Sequence, residues 1–205
     1  MCVPESGLND YACTGKRVKR LIVSLTKDQA SCLKPDKDNR EMNYNDYNQF
    51  ADSIRKRKGL LTIINIMNKL FTALGFIAYP ALLLYLGWRG LFRQAAACIV
   101  VPGLAFYALS AFRRWRNSPR PYELYDIRPL ISRDGSGDSF PSRHVFSIML
   151  IGGLWCIVYV RIGVCILVCG LGLAVIRVIG GVHFVRDVVW GSIIGLVAAA
   201  LTYYV

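Results

Sequence analysis

Apolar runs fill most of the chain after residue 58, whereas residues 1–58 are polar and mixed in charge. Five apolar stretches follow: 70–88, which can extend back through 59–68, then 94–112, 145–160, 162–176 and 188–205. Each is long enough, or nearly so with its flanks, to cross a hydrocarbon core of ~30 Å as a helix of about 20 residues. The pattern predicts an all-α fold, a multi-pass transmembrane helical bundle of about five spans with a polar N-terminal tail.

The third and fourth runs are short, so we expect their helices to continue into the polar residues that flank them. Small residues in the last three runs would let the helices pack closely. They are Gly152, Gly153, Gly163, Gly170, Gly172, Gly191 and Gly195. A soluble helical core is the alternative, and five such runs in succession argue against it.

The composition divides the chain into a tail at 1–58 and a transmembrane domain at 59–205. We expect the tail to be partly disordered because it is polar and mixed in charge. Residues 46–58 form either a short helix at the membrane surface or a solvated linker. In the first case the basic run 55–58 would meet anionic lipid head groups.

Two polar segments separate the later runs, at 113–143 and at about 180–187. If all five runs cross the membrane, both segments emerge on the same face, and the turn at Arg161 and the C-terminus lie on the other. The two segments can therefore meet and build one site. The excess of Lys and Arg on this face favours a cytoplasmic site, and a further membrane segment near 59–69 would invert that orientation.

The net charge of +12 is carried mainly by arginine in the second part of the chain. Residues 59–205 contain 13 Lys/Arg against 5 Asp/Glu, and Lys69 is the one lysine among them. The guanidinium fork binds phosphate oxygens bidentately, which lysine cannot do. Positive flanks of membrane spans explain Arg89, Arg93 and Arg161, but explain the cluster at 113–143 less well. Nucleic acid is not an expected partner, because most basic residues lie between runs that would insert into a bilayer.

The two histidines, His144 and His183, each lie beside arginines at the edge of an apolar run. Asp187 stands four residues after His183, so the two side chains share a face if the segment is helical. A carboxylate bonded to one ring nitrogen fixes the tautomer and leaves the other nitrogen free to attack. A His–Asp pair at the membrane edge that serves solubility is the alternative, although charges at membrane depth are usually functional.

The remaining candidates suit phosphate. Ser142 precedes an apolar helix at an N-cap position, where free N–H groups and the helix dipole attract anions. His144 follows in the first turn and could protonate a leaving oxygen. Arg113 and Arg120 flank a proline-containing turn and could clamp phosphate oxygens. An ordinary helix cap with a surface histidine, and a positive span flank, are the alternatives.

Three clusters, Arg113-x6-Arg120-Pro121, Pro141-Ser142-Arg143-His144 and Arg177-x5-His183-x3-Asp187, occur in order along the chain. Together they resemble the signature of the type 2 phosphatidic acid phosphatase superfamily, Lys-x6-Arg-Pro, Pro-Ser-Gly-His and Ser-Arg-x5-His-x3-Asp. The resemblance covers residues ~60–205. It implies a helical membrane phosphatase, related in fold to vanadium haloperoxidases, that needs no metal or other cofactor.

The resemblance implies that His183 is a nucleophile that forms a phosphohistidine, that Asp187 orients it, and that His144 is the acid for the leaving group. The residues expected to hold the phosphate are Arg113, Arg120, Ser142, Arg143 and Arg177. Three residues depart from the signature. Arg113 replaces its lysine, Arg143 its glycine and Ile176 its second serine, and these changes bear on substrate preference.

We therefore expect an integral membrane phosphatase, located in the cell membrane, that acts on lipid phosphates or diphosphates. Phosphatidic acid, phosphatidylglycerophosphate and polyprenyl diphosphate are candidate substrates, and membrane lipids are the expected partners. The sequence does not predict the oligomeric state. A non-catalytic protein that binds or moves phospholipids is the alternative, and vanadate-dependent peroxidase chemistry is a third possibility.

Overall fold

The computed structural model describes residues 37–125, 127–132 and 135–204, with side chains described from Tyr47 onward. All regular secondary structure in these residues is helical, and the predicted all-α fold is confirmed. The helices are α1 (Lys37–Lys56), α2 (Lys58–Trp88), α3 (Phe92–Arg116), α4 (Pro121–Leu124), α5 (Arg143–Val158), α6 (Val160–Ile179) and α7 (Val185–Tyr203). The contacts divide the chain into units at 1–46 and 47–205. The predictions for residues 1–36 lie outside the described residues.

Each of the five apolar runs corresponds to one long helix. Four helices are long and apolar enough to cross a membrane: α2, α3 with its extension to Leu124, α6 and α7. The third run forms α5, which is apolar but has only 16 residues. A helix of that length spans ~24 Å, somewhat less than the hydrocarbon core. As expected, α5 begins in polar motif residues, at Arg143, and α6 extends past Arg177.

The short helix α5 lies at the centre of the bundle and packs most extensively against α6 and α7. Phe146, Ile148 and Leu154 are almost completely buried, whereas α2 and α3 expose large apolar side chains such as Phe76 and Leu104. Helix α7 approaches α5 closely because Gly191 presents no side chain there. A Cβ atom at Gly191 would lie 2.7 Å from the carbonyl oxygen of Ser142. This close approach brings the first turns of α5 and α7 together.

The polar ends of the helices meet, as the order of the spans predicted. The backbone N–H of Leu130 donates to Gly180 O at 3.0 Å, which ties the long loop to the turn that follows α6. The N–H of Ser142 donates to Asp187 O at 2.9 Å, which ties the start of α5 to the start of α7. Two backbone hydrogen bonds therefore join the loop at 117–142 to the other polar segment, one to the turn after α6 and one to the first turn of α7.

The C-terminal half of α1 packs beneath the same turn. Tyr47 donates its hydroxyl hydrogen to the carbonyl oxygen of Ile179 at 3.0 Å. Ala51 and Ile54 are buried in a small apolar cluster with Leu130. Residues 46–56 are helical, within a helix that begins at Lys37, and whether this helix lies on a membrane surface stays a prediction.

Candidate active site

His183 lies in the turn between α6 and α7 rather than in a helix. Helix α6 ends at Ile179, and Gly181 adopts φ +73°, a conformation that favours glycine, so the chain reverses direction there. The N–H of His183 then donates to Arg177 O at 3.3 Å. The condition for His183 and Asp187 to share a helix face, a helical segment from 183 to 187, is not met, because α7 begins only at Val185.

The two side chains meet through the cap of α7 instead. Asp187 is in the first turn of α7, and its Oδ2 accepts the backbone N–H of Phe184 at 3.1 Å. This folds the carboxylate back toward His183, whose Nδ1 lies 3.6 Å from Oδ2. Because Nδ1 faces the carboxylate, Nε2 is the nitrogen that remains free to attack.

Both groups are withdrawn from solvent, His183 with 3% and Asp187 with 0% of its surface exposed. Burial lowers the pKa of His183 below its ordinary value of 6.5. The hydrogen bond with Asp187 raises this pKa in part, and the positive charges of Arg120 and Arg177 lower it further. The imidazole is therefore neutral over a wider pH range than an exposed histidine. A neutral ring is the form that can act as a nucleophile.

Ser139 is a site residue that the sequence analysis did not identify. Its side chain is completely buried, and its hydroxyl donates to Asp187 Oδ2 at 2.5 Å. The same Oγ lies 3.5 Å from His183 Nδ1. Ser139 thus holds the carboxylate beside the ring. The only feature of the sequence that points to Ser139 is its position, two residues before the Pro-Ser-Arg-His segment.

Three of the predicted arginines are buried around this pair. Arg113, Arg120 and Arg177 expose 5%, 3% and 2% of their surface. The charges of Arg120 and Arg177 act on His183, and those of Arg120 and Asp187 act on Arg113. The guanidinium of Arg113 also donates to the carbonyl oxygen of Pro141, which anchors it at the loop before α5. Two guanidinium groups, those of Arg120 and Arg177, therefore act on the imidazole, and Arg113 lies at the loop before α5.

The loop around Arg120 is held by its own hydrogen bonds. Arg120 donates from Nε to Gly137 O at 2.9 Å. Glu123 accepts the backbone N–H of Arg120 at 2.8 Å and that of Gly137 at 2.7 Å. The carboxylate of Glu123 thereby joins the two sides of the loop that presents the arginine, a role that the sequence analysis did not assign.

Ser142 is the N-cap of α5, as predicted, but its side chain does not cap the helix. Its Oγ is completely buried and has no hydrogen-bond partner within the described part of the chain. Leaving a buried hydroxyl without a partner costs about 1–3 kcal/mol. The N-terminus of α5, which has no acidic residue in its first turn, points its free N–H groups to the same side. This corner of the site is suited to an anion.

Arg143 and His144 lie outside the buried cluster. Arg143 is exposed and His144 is half-buried, and both line a groove of about 450 Å³ between the helices. The other walls of the groove are mostly apolar, with Phe71, Phe76 and Leu173 among them. The groove is therefore a place for a hydrocarbon chain beside a polar centre.

Positive charge predominates among the buried side chains of the site. Arg113, Arg120 and Arg177 are buried, Asp187 is the buried carboxylate within the described residues, and the half-buried Asp138 also acts on Arg113. An excess of buried positive charge favours the binding of an anion. A phosphate monoester carries between one and two negative charges near neutral pH, with its second pKa near 6.

The comparisons with known proteins identify the family of this chain and proteins that share its fold. The model of the PAP2 superfamily matches residues 12–205, and the chain belongs to this superfamily. LpxE of Aquifex aeolicus is 21% identical, with a TM-score of 0.54, over 72% of this chain and 94% of that one. A transmembrane PAP2 type phosphatidylglycerolphosphate phosphatase from Bacillus subtilis is also 21% identical, with a TM-score of 0.56, over 90% and 93%. No curated protein sequence matches the chain.

The family resemblance inferred from the three clusters is thus confirmed, and so is the helical membrane architecture. The structure buries six of the eight predicted site residues, whereas Arg143 is exposed and His144 is half-buried. The six are Arg113, Arg120, Ser142, Arg177, His183 and Asp187.

Proposed function

We propose that this protein is an integral membrane phosphatase of the cell membrane that hydrolyses lipid phosphates or diphosphates through a phosphohistidine. The observation that supports it most strongly is the buried, positively charged cluster around a neutral imidazole, beside an apolar groove. Such a cluster stabilises the charge that moves during phosphoryl transfer. The groove accommodates the lipid chain that carries the phosphate.

In the first step, Nε2 of His183 attacks phosphorus and the bond from phosphorus to the leaving oxygen breaks. Asp187 and Ser139 hold the ring at Nδ1, and the carboxylate stabilises the positive charge that forms on it. His144, two residues after the N-cap of α5, gives a proton to the leaving oxygen. Arg113, Arg120 and Arg177 bind the non-bridging oxygens.

In the second step, water attacks the phosphorus of the phosphohistidine and loses a proton to His144. The N–P bond breaks, its electron pair returns to His183, and inorganic phosphate leaves. The unpartnered hydroxyl of Ser142 donates to a phosphate oxygen in both steps. We propose that the three guanidinium groups supply the charge stabilisation that a metal ion supplies in other phosphatases.

Phosphate release by the purified protein in detergent tests the proposal. We expect wild-type protein to release phosphate from a lipid phosphate in EDTA, and His183→Ala to lose at least about a thousandfold in rate. Brief reaction with labelled substrate is expected to leave acid-labile phosphate on His183. Equal release by the two proteins would refute the enzymatic role. Lipid transfer between vesicles without release would support the non-catalytic alternative, and halide oxidation with vanadate the peroxidase alternative.

A further inference from the structure

Arg143 differs from the other arginines of the site in its surroundings. It is the first residue of α5, between the buried Ser142 and the half-buried His144, and its own side chain is exposed. Its guanidinium carbon lies 5.8 Å from the centroid of the Phe106 ring on α3. At this distance the ring attracts the cation and favours one position for it. In the superfamily signature this residue is glycine, so the cation is an addition.

The position of Arg143 lies between the phosphate cluster and the groove. Its charge acts on the buried Arg113, and its side chain lines the groove together with His144. A lipid substrate has its terminal phosphate at His183 and its hydrocarbon chain in the groove. The group that connects the two therefore passes Arg143.

The chemistry of the leaving group decides what a cation at this position can do. When the substrate is a monophosphate, the leaving group is an alcohol, which needs a proton from His144 and retains no charge. When the substrate is a diphosphate, the leaving group is a lipid monophosphate, which carries about two negative charges near neutral pH. A guanidinium group on that side stabilises the second leaving group and contributes little to the first.

We propose that Arg143 binds the lipid-proximal phosphate and makes this protein selective for lipid diphosphates. This inference rests on the proposed function. Nε2 of His183 attacks the distal phosphorus, and the bond from that phosphorus to the bridging oxygen breaks. The electron pair stays on the bridging oxygen, and the lipid monophosphate leaves while bound to Arg143. Water then releases the distal group as inorganic phosphate, so that diphosphate and water give monophosphate and phosphate.

Paired substrates with one hydrocarbon chain test this selectivity, and farnesyl diphosphate and farnesyl monophosphate are suitable probes. We expect wild-type protein to prefer the diphosphate in kcat/KM. Arg143→Gln is expected to lower the diphosphate-to-monophosphate ratio of kcat/KM at least about tenfold, and Arg143→Lys to restore part of it. A ratio that Arg143→Gln leaves unchanged would overturn the inference, and so would a wild-type preference for the monophosphate.

Arg116→Gln is a matched control. Arg116 is also exposed, and its guanidinium carbon lies 5.7 Å from the centroid of the Phe140 ring. Loss of this cation is expected to leave the selectivity ratio unchanged, and an equal change in both variants would point to general electrostatics. His183→Ala measured on both probes separates the two proposals. If it retains wild-type rates on both, the phosphatase proposal itself fails, whereas an inactive His183→Ala with an unselective wild type refutes only the role of Arg143.

Discussion

Replacement of Ser139 by alanine removes a hydrogen bond that holds Asp187 beside His183, the proposed nucleophile. Ser139 and Asp187 are both completely buried, and the hydroxyl donates to the carboxylate at 2.5 Å. A hydrogen bond to a charged group contributes about 1.5–3 kcal/mol. Each 1.36 kcal/mol corresponds to a factor of ten in rate. If most of this energy serves to hold Asp187 beside His183, kcat is expected to fall about 10- to 100-fold.

The same substitution has a predictable effect on pH dependence. Without the hydroxyl, the carboxylate of Asp187 is less compensated and attracts the proton on His183 more strongly. The pKa of His183 therefore rises, and the acidic limb of the pH–rate profile moves to higher pH. KM is expected to change less than about threefold, because the arginines that bind the phosphate are retained. A loss of folded protein would also lower the apparent kcat at unchanged KM, but it would not move the acidic limb, so the pH profile distinguishes the two effects.

The assay is initial-rate phosphate release across pH 4.5–8.5 (chosen to bracket the usual histidine pKa of ~6.5), with thermal unfolding measured on the same preparations. Ser192→Ala is the matched control, since Ser192 lies on the same helix as Asp187 and donates only to Val188 O at 2.8 Å. We expect this control to behave like wild type. A folded Ser139→Ala protein with the wild-type kcat and acidic limb would refute the positioning role.

Three further predictions follow from the geometry. In wild-type protein, kcat/KM is expected to fall with decreasing pH through a pKa below 6.5, because burial lowers the pKa of His183. The stability of the folded protein should be greatest above pH 6.5 and fall as the pH drops through the lowered pKa. An acidic limb of the activity profile centred above pH 6.5 would contradict the assignment. Gly191→Ala would place a Cβ atom 2.7 Å from Ser142 O, so activity should fall more than about tenfold, with a destabilisation of about 1–3 kcal/mol. Gly103→Ala is the control, since nothing lies within 4 Å of its Cβ position, and it should retain activity. Equal activities of the two variants would refute the close-packing argument. Inorganic phosphate or vanadate is expected to raise the unfolding temperature of wild-type protein, and to raise that of Arg177→Gln less, because this substitution removes one of three buried positive charges. A similar rise in both proteins would indicate binding elsewhere.

The sequence predicted the helices well because the bilayer restricts the choices. Backbone groups within hydrocarbon must be satisfied internally, so each long apolar run forms a helix. The exact ends were less predictable. Helix α6 ends after Ile179, where Gly181 takes a positive φ, and α5 begins at Arg143, inside the motif itself. These boundaries depend on local backbone conformation and not on hydropathy.

The candidate site was predictable where a residue type carries its own chemistry. Histidine with clustered arginines between apolar runs predicted phosphate chemistry, and the structure buries His183, Arg113, Arg120 and Arg177. Ser139 could not be found in this way, because its role arises from a contact with Asp187, 48 residues away in sequence. The direction of the Arg143 side chain could not be predicted from the sequence either, because it depends on the position of Phe106 on α3.

The hydrogen bond from Tyr47 to Ile179 joins two positions separated by 132 residues. Tyr47 leaves the ribosome long before the turn that contains His183, and the last helix, with Asp187, follows later still. During synthesis, most of the arginines are therefore present while neither the nucleophile nor its carboxylate exists. Under the proposed function, a partly inserted chain therefore cannot cleave a lipid phosphate before the final span, which carries Asp187, has been made.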